Sequence, residues 1–281
     1  MTARILDGRP VAERIIESVK ARADRLRARG ISPSAAVLVS QGDGPGFVYA
    51  QSIKRRGASA GIEVEIIGLD FSSGAEAPLA TLRAVAAKPT VHAILLQRPL
   101  PAHVDARPFI DAIPANKDAD AAHPHALGLL TAGQAVFVPA TAAAVMELLS
   151  SAGTKLQGER AVVVGRSLVV GRPVAMLLIA AHATVTLCHS YTRDLTDVTR
   201  RADILVAAMG KPKFITADMV KPGATVVDVG TNVVAGAVVG DVDPGVAEVA
   251  GALSPVPGGV GPVTTAVFLR NVVEAAERLA G

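Results

Sequence analysis

Along the first hundred residues, apolar positions alternate between two periods. From about 10 to 29, VAERIIESVKARADRLRARG places Val11, Ile15, Ile16, Val19 and Leu26 on one face of a helix that Gly30 ends. A strand follows at 35–40 (AAVLVS), then a helix over 46–60 stopped by Gly61, then a second strand, IEVEIIGL. A helix over 75–87 leads to a strand at 93–97 (AILLQ) and the turn-rich RPLPAHVD. Strand alternating with helix predicts an α/β layer with mostly parallel strands. The segment 108–139, with its prolines and two close histidines, is expected to be an irregular connection.

A helix over 141–152 then opens a second series, and the domain boundary is placed near 139. The strand RAVVVG (160–165) is apolar without alternation, as are DILVAA and TVVDVG; ATVTLC (183–188) lies between them, after the helix PVAMLLIAAH. Unbroken apolar runs belong to central strands of a doubly wound sheet covered on both faces. The last helix, 264–280, follows the turn SPVPGGVGP and could reach back to the first domain. The division expected is 1–138 joined by 264–281, and 139–263, with a cleft between.

Composition narrows the class. Apolar runs such as 174–181 stop well short of the roughly 20 residues of a membrane span, and MTARILDGRP resembles no secretory signal; a cytoplasmic protein with no membrane partner is expected. One cysteine, Cys188, leaves no disulfide framework. A net charge of +3 and 3% aromatic residues argue against nucleic acid, and the basic run near 20–29 has the spacing of a solvated helix face. His123 and His125, two apart with no third ligand in view, predict no metal site.

After the strand at 160–165 comes GRSLVVGRP, with Gly165 and Gly171 six apart and Pro173 at the start of the helix. Such glycines let backbone amides approach a pyrophosphate at the positive end of a helix, although the spacing is not GxGxxG and a tight turn would also use them. A domain that selects NAD carries an acidic residue some 20 positions on. Here the next strand ends in Cys188, His189 and Ser190, with Arg166 and Arg172 nearby, which favours the 2′-phosphate of NADP.

These residues carry a family likeness. VVVGRSLVVGRPVAMLL, ATVTLCHS, ADILVAAMGKP, KPGATVVDVGTN and SPVPGGVGPVT resemble the bifunctional methylenetetrahydrofolate dehydrogenase/cyclohydrolases, and LLQRPLP and NKDADAAHP are similar to segments of their first half. The resemblance implies NADP-dependent oxidation of methylenetetrahydrofolate to the methenyl form, hydrolysis of that to 10-formyltetrahydrofolate in the same cleft, and a homodimer. Carried over by motif, Gly165, Arg166, Ser167, Gly171, His189, Ser190 and Thr231 would hold NADP. Tyr49, Gln97, Pro99, Asp120, Gly261, Pro262 and Thr264 would hold the folate or the nicotinamide end.

In that family the helix after the first strand carries a tyrosine and, one turn later, a lysine, both facing the cleft. Anchoring on Gly61 and Ile62 puts Tyr49 on the tyrosine and Ile53 on the lysine position. A hydrocarbon cannot transfer a proton, so hydrolysis is expected to be weak or absent while hydride transfer survives. The alternatives are a fully bifunctional enzyme in which Lys54 substitutes, and a non-catalytic folate- or NADP-binding subunit. Further departures are Gly44-Pro45-Gly46 in place of Pro-Ala-Ser, Ala121 in place of a glycine, and Arg98 in place of a leucine. Arg98 could bind the glutamate tail of folate, pair with Asp120, or be a solvated charge.

Overall fold

The structure is a computed structural model and describes residues 2–41 and 44–281. In chain order the elements are β1 (Arg4–Ile5), α1 (Arg9–Ala28), β2 (Ser34–Ser40), α2 (Pro45–Ser59), β3 (Glu63–Leu69), α3 (Glu76–Ala87), β4 (Ala93–Leu96), α4 (Arg107–Asp111), α5 (Pro124–Thr131) and α6 (Ala140–Ser151). They continue with β5 (Arg160–Val164), α7 (Gly171–Ala180), β6 (Thr184–Cys188), α8 (Leu195–Thr199), β7 (Ile204–Ala207), β8 (Thr225–Asp228), β9 (Asn232–Val234), β10 (Ala237–Val239), β11 (Ala252–Leu253) and α9 (Val260–Ala280). The α/β class expected from the patterning is the class observed.

The chain divides into two compact units: one holds 14–127, 136–138 and 265–281, the other 1–13, 128–135 and 139–264. After the expectations drawn from the sequence, the first is labelled the folate unit and the second the nucleotide unit. The expected division misassigns the N-terminus, because β1 pairs in parallel with β11, Arg4 opposite Ala252, and Ala3 enters that unit's core. A two-residue strand has no period to read, and only its partner reveals it.

In the folate unit a parallel sheet runs in the order β3-β2-β4. One core packs on it from Leu38, Leu82, Ile94, Phe109 and Ile113, and Phe71 meets Phe109 at a centroid distance of 5.6 Å. The stripe expected on α1 is the buried one, Val11, Ile15, Ile16, Val19 and Leu26 all lying at 9% exposure or less. The segment 108–139 is less irregular than expected, because α4 and α5 lie in it. Both begin at or beside a proline, which fits the first turn of a helix, where an amide proton has no partner to lose.

In the nucleotide unit, among the described residues, six strands run in the order β1-β11-β8-β7-β5-β6, every pair parallel. The chain leaves β5 toward β6 and returns to the other side at β7, so the order reverses between β5 and β7. Ligands of doubly wound sheets bind at the carboxyl ends of the strands flanking such a reversal.

Candidate functional site

At that reversal point the backbone is packed too tightly for side chains. A Cβ on Gly165 would lie 2.0 Å from the carbonyl oxygen of Ala208, at the end of β7, and one on Gly171 would lie 1.9 Å from the carbonyl of Gly165. Gly165 also has φ +125°, a conformation open to glycine. The glycines are thus required by close approach, and the approach leaves amides at the mouth of α7. Ser167 Oγ accepts from the amides of Val170 (3.1 Å) and Gly171 (3.4 Å), which leaves its own proton free to donate. Arg166 and Ser190 are exposed, and β6 ends in a neutral turn. This cradle, with amides, a helix N-terminus, a guanidinium and no carboxylate at the strand end, fits a phosphorylated dinucleotide.

Two buried carboxylates brace the neighbouring loops. Asp241, fully buried, accepts from the amides of Met209, Gly210 and Lys211 at 2.7–2.9 Å and from Asn232 Nδ2 at 2.9 Å. Asp228 accepts from the amides of Gly230, Asp241 and Val242, and burial raises its pKa against those bonds. Together they set the loop after β7 and the turn carrying Thr231, which is exposed. Sequence reading gave this pair no role, although Asp228 lies in the quoted segment KPGATVVDVGTN. Gly261 and Pro262 lie in the first turn of α9, which begins four residues earlier than expected. Thr264 is buried, and its hydroxyl donates to the carbonyl of Val260 at 3.1 Å.

In the folate unit the loop after β4 and the loop after α4 converge. Lys117 is buried, its Nζ donating to the carbonyls of Ala86 (2.9 Å) and Lys88 (2.7 Å). Asp118 accepts from the amides of Ala122 and His123, both at 2.9 Å, and Asn271 Nδ2 donates to the carbonyl of Ala119 at 2.8 Å. Asp120 therefore projects from a loop pinned on both sides, and Ala121 takes the left-handed conformation (φ 49°) to complete it. Burial raises the pKa of Asp118, opposed by its two amide bonds and by the charges of His123 and Arg98. Arg98 is half-buried, and the carboxylate its charge steadies is Asp118.

Tyr49 faces this loop. Burial pushes its phenol far above the usual tyrosine range, the charge of Asp120 pushes it the same way, and a hydrogen bond with Thr265 opposes both. The threonine that reaches the tyrosine is thus Thr265, the neighbour of the one singled out from sequence. Gln97 Nε2 donates to the carbonyl of Arg98 at 3.2 Å, and a Cβ on Gly46 would lie 2.9 Å from Gln97 Cγ, so α2 begins pressed against it. Pro99 is exposed.

The buried face of α2 continues through Ala50, Ile53, Gly57 and Ala60. Ile53 is fully buried, one turn beyond Tyr49. Lys54 is exposed and lines a hollow of about 390 Å³ with Arg27, Ser32, Ala58, Gly61, Ile62, Glu63 and Val64. That hollow lies at the amino end of the sheet, where Val64 pairs with Ala35, whereas Gln97 donates its amide to Leu38 at the carboxyl end. Three to four residues of strand, roughly 10–13 Å, separate the two rows. The role held open from sequence for Lys54, in place of the lysine that the resemblance implies at position 53, is not what this geometry offers.

His123 lies 3.4 Å from Asp111 and 6.4 Å ring to ring from His125. Among the described residues no group of three or more metal-binding side chains is gathered, and no helix is long and apolar enough to cross a membrane.

One unit with a doubly wound parallel sheet and a glycine cradle at its reversal point, and a second that gathers a tyrosine, a carboxylate and an amide, define a two-unit dinucleotide-binding α/β protein. Residues 139–280 match the model of the tetrahydrofolate dehydrogenase/cyclohydrolase NAD(P)-binding domain, and residues 6–120 match that of the catalytic domain of the same family. The chain belongs to the tetrahydrofolate dehydrogenase/cyclohydrolase family. It is 49% identical to the bifunctional protein FolD of Bordetella avium, covering 99% of both chains, and 46% identical to that of Dechloromonas aromatica over the whole of both. Among solved structures it resembles the Campylobacter jejuni bifunctional enzyme FolD (TM-score 0.93, 38% identity, 98% of this chain and 99% of that one). It also resembles the Trypanosoma brucei dehydrogenase-cyclohydrolase complexed with NADP and an inhibitor (TM-score 0.94, 35% identity, 99% and 98%).

Proposed function

We propose that this protein is an NADP-dependent methylenetetrahydrofolate dehydrogenase whose cyclohydrolase step is slow relative to its redox step. The observation that carries the reading is the fully buried Ile53, one helical turn beyond Tyr49, where the family resemblance calls for a lysine. Lys54, at the other end of the sheet, supports it further. Losing a general acid or base costs hydration roughly 10² to 10⁴ in rate, whereas hydride transfer depends mainly on holding two rings in register.

The bound dinucleotide supplies the hydride acceptor. The chain's own residues do the rest. Tyr49 stays protonated and offers its ring to the flat part of the folate, with Thr265 fixing its hydroxyl. Asp120, on its pinned loop, accepts from the donor edge of the pterin. The Gly165 loop, Arg166 and Ser190 take the phosphates and the adenosine ribose. The NADP complex of the Trypanosoma brucei relative supports NADP, as does the neutral end of β6.

The purified protein is given methylenetetrahydrofolate and NADP, and methenyl and 10-formyl products are followed separately. The methenyl form should accumulate, and Ile53→Lys should speed its clearance. Clearance by the unaltered protein as fast as its formation sinks the reading in favour of full bifunctionality, which the relatives' names support. Failure to bind NADP would leave a non-catalytic subunit, against which the intact cradle argues.

A further inference from the structure

The nucleotide unit displays an aromatic ring for which its fold has no use. Tyr191 is 80% exposed, more than any other large hydrophobic residue of the described chain. It stands one residue past Ser190, beyond the carboxyl end of β6. Its mount is rigid: the Tyr191 amide donates to His189 Nδ1 (3.2 Å), the His189 amide donates to Thr192 Oγ1 (2.9 Å), and the Thr192 amide returns to the His189 carbonyl (2.9 Å). The imidazole of His189 meets the ring edge-on at 6.1 Å and 67°. Over the ring lies the guanidinium of Arg166, its Cζ 5.9 Å from the centroid.

That distance is informative. Two flat groups stacked in contact lie about 3.5–4 Å apart, so at 5.9 Å the guanidinium carbon is not stacked in contact over the ring centre. A third flat group between them needs about 7 Å, which an exposed arginine side chain reaches by withdrawing about 1 Å. Arg166 makes no ion pair among the described residues that would hold it back. In a doubly wound sheet the adenosine ribose sits at the end of the second strand, here Cys188 to Ser190, and the base lies just beyond.

The geometry points to Tyr191 as the residue that takes the adenine of the dinucleotide, with Arg166 closing over the other face of the base. This inference rests on the NADP reading above and deepens it. A planar guanidinium can stack with its face while its edge forks a phosphate, so Arg166 would hold the base and the 2′-phosphate at once. The residue would set affinity for the adenosine half and take no part in the hydride step.

The test uses the full chain and two fragments without nicotinamide, 2′,5′-ADP and 5′-AMP, titrated by calorimetry. Base–aromatic stacking is worth about 1–3 kcal/mol, so Tyr191→Ala should weaken both fragments by the same factor, roughly tenfold. Tyr191→Phe should stay within about twofold of the unaltered protein. The chain has two tyrosines and no tryptophan, so quenching of tyrosine emission by 2′,5′-ADP should also vanish in Tyr191→Phe. Unchanged affinity in Tyr191→Ala overturns the inference. So does weakening of 2′,5′-ADP alone, which would mean that the ring acts only by steadying Arg166 on the phosphate. If the unaltered protein binds neither fragment, the NADP reading itself fails, an outcome distinct from a Tyr191 failure.

Discussion

Each unit has a glycine-bearing helix that follows a parallel strand, and the two spend their close contacts differently. After β5, Gly165 and Gly171 bring backbone against backbone, and the loop exposes Arg166 and Ser167 beside Leu168. After β2, Gly46 and Gly57 bring α2 against side chains, the Gly46 position against Gln97 and the Gly57 position against Val64 and Leu269, and what faces inward between them is Ile53. The first arrangement leaves its polar side chains open to solvent. The second is already filled by hydrocarbon. Close packing therefore marks a candidate site where polar side chains stay exposed above it, as Arg166 and Ser167 do.

The contrast is broken most severely at Gly165. In Gly165→Ala a methyl group would overlap the Ala208 carbonyl at a residue with φ +125°. The expected cost is on the order of 4 kcal/mol in the nucleotide unit. Affinity for 2′,5′-ADP should fall by roughly 100-fold or more, about 2.8 kcal/mol. Calorimetric binding and thermal unfolding read both; an alanine variant that binds normally would show that the cradle is not the site. Next in size is Asp241→Ala, which leaves the amides of Met209, Gly210 and Lys211 and the Asn232 side chain without their acceptor. Relief of the repulsion with Asp228 offsets part of this, and a loss of about 3 kcal/mol is expected, or roughly 6–12 °C in Tm.

The third effect concerns the phenol of Tyr49. Its pKa in the folded chain is raised above the usual value near 10, first by burial and then by Asp120. Between the unfolded value and the raised one, the native state keeps a proton that the unfolded state has lost, so stability present below pH 10 declines as pH rises, by at most about 1.4 kcal/mol per unit. Tyr49→Phe should flatten that decline in urea titrations at pH 9 and 11. An equal slope in the two proteins would place the hydroxyl in water, away from Asp120.

How far the sequence could be read follows the same divide. Strands with unbroken apolar runs, β5, β7 and β8, announced themselves, as did the striped α1. Gly165 and Gly171 stood out because they follow a strand and precede a helix, whereas Ser167 and Asp120 were named only through the family resemblance. The helices α4 and α5 did not stand out, because prolines in a first turn look like breakers. The hairpin of β9 and β10 turns on Ala235 and Gly236, both at positive φ, and an alanine there hides a turn that Asn-Gly would advertise. Thr265, Asp118 and the Asp228–Asp241 pair were missed for another reason. Their roles depend on which amide or hydroxyl the fold brings opposite, and no local pattern carries that information.

The smallest expected effect sharpens the comparison on the folate side. Ala121 occupies the left-handed region at φ 49°, directly after Asp120, in a loop that Lys117, Asp118 and Asn271 pin from both ends. For a residue with a Cβ that conformation costs about 1–2 kcal/mol. Glycine adopts it freely but gives back part of the difference through its larger entropy in the unfolded chain. Ala121→Gly should therefore stabilise the protein by roughly 0.5–1 kcal/mol, a rise of about 1–4 °C in Tm. Asp120 should keep its position, so the KM for methylenetetrahydrofolate should change less than about twofold. A destabilised variant would mean that the methyl group of Ala121, 4% exposed, contributes more by packing than its backbone costs. The folate unit would then have exchanged conformational ease for buried contact at Ala121.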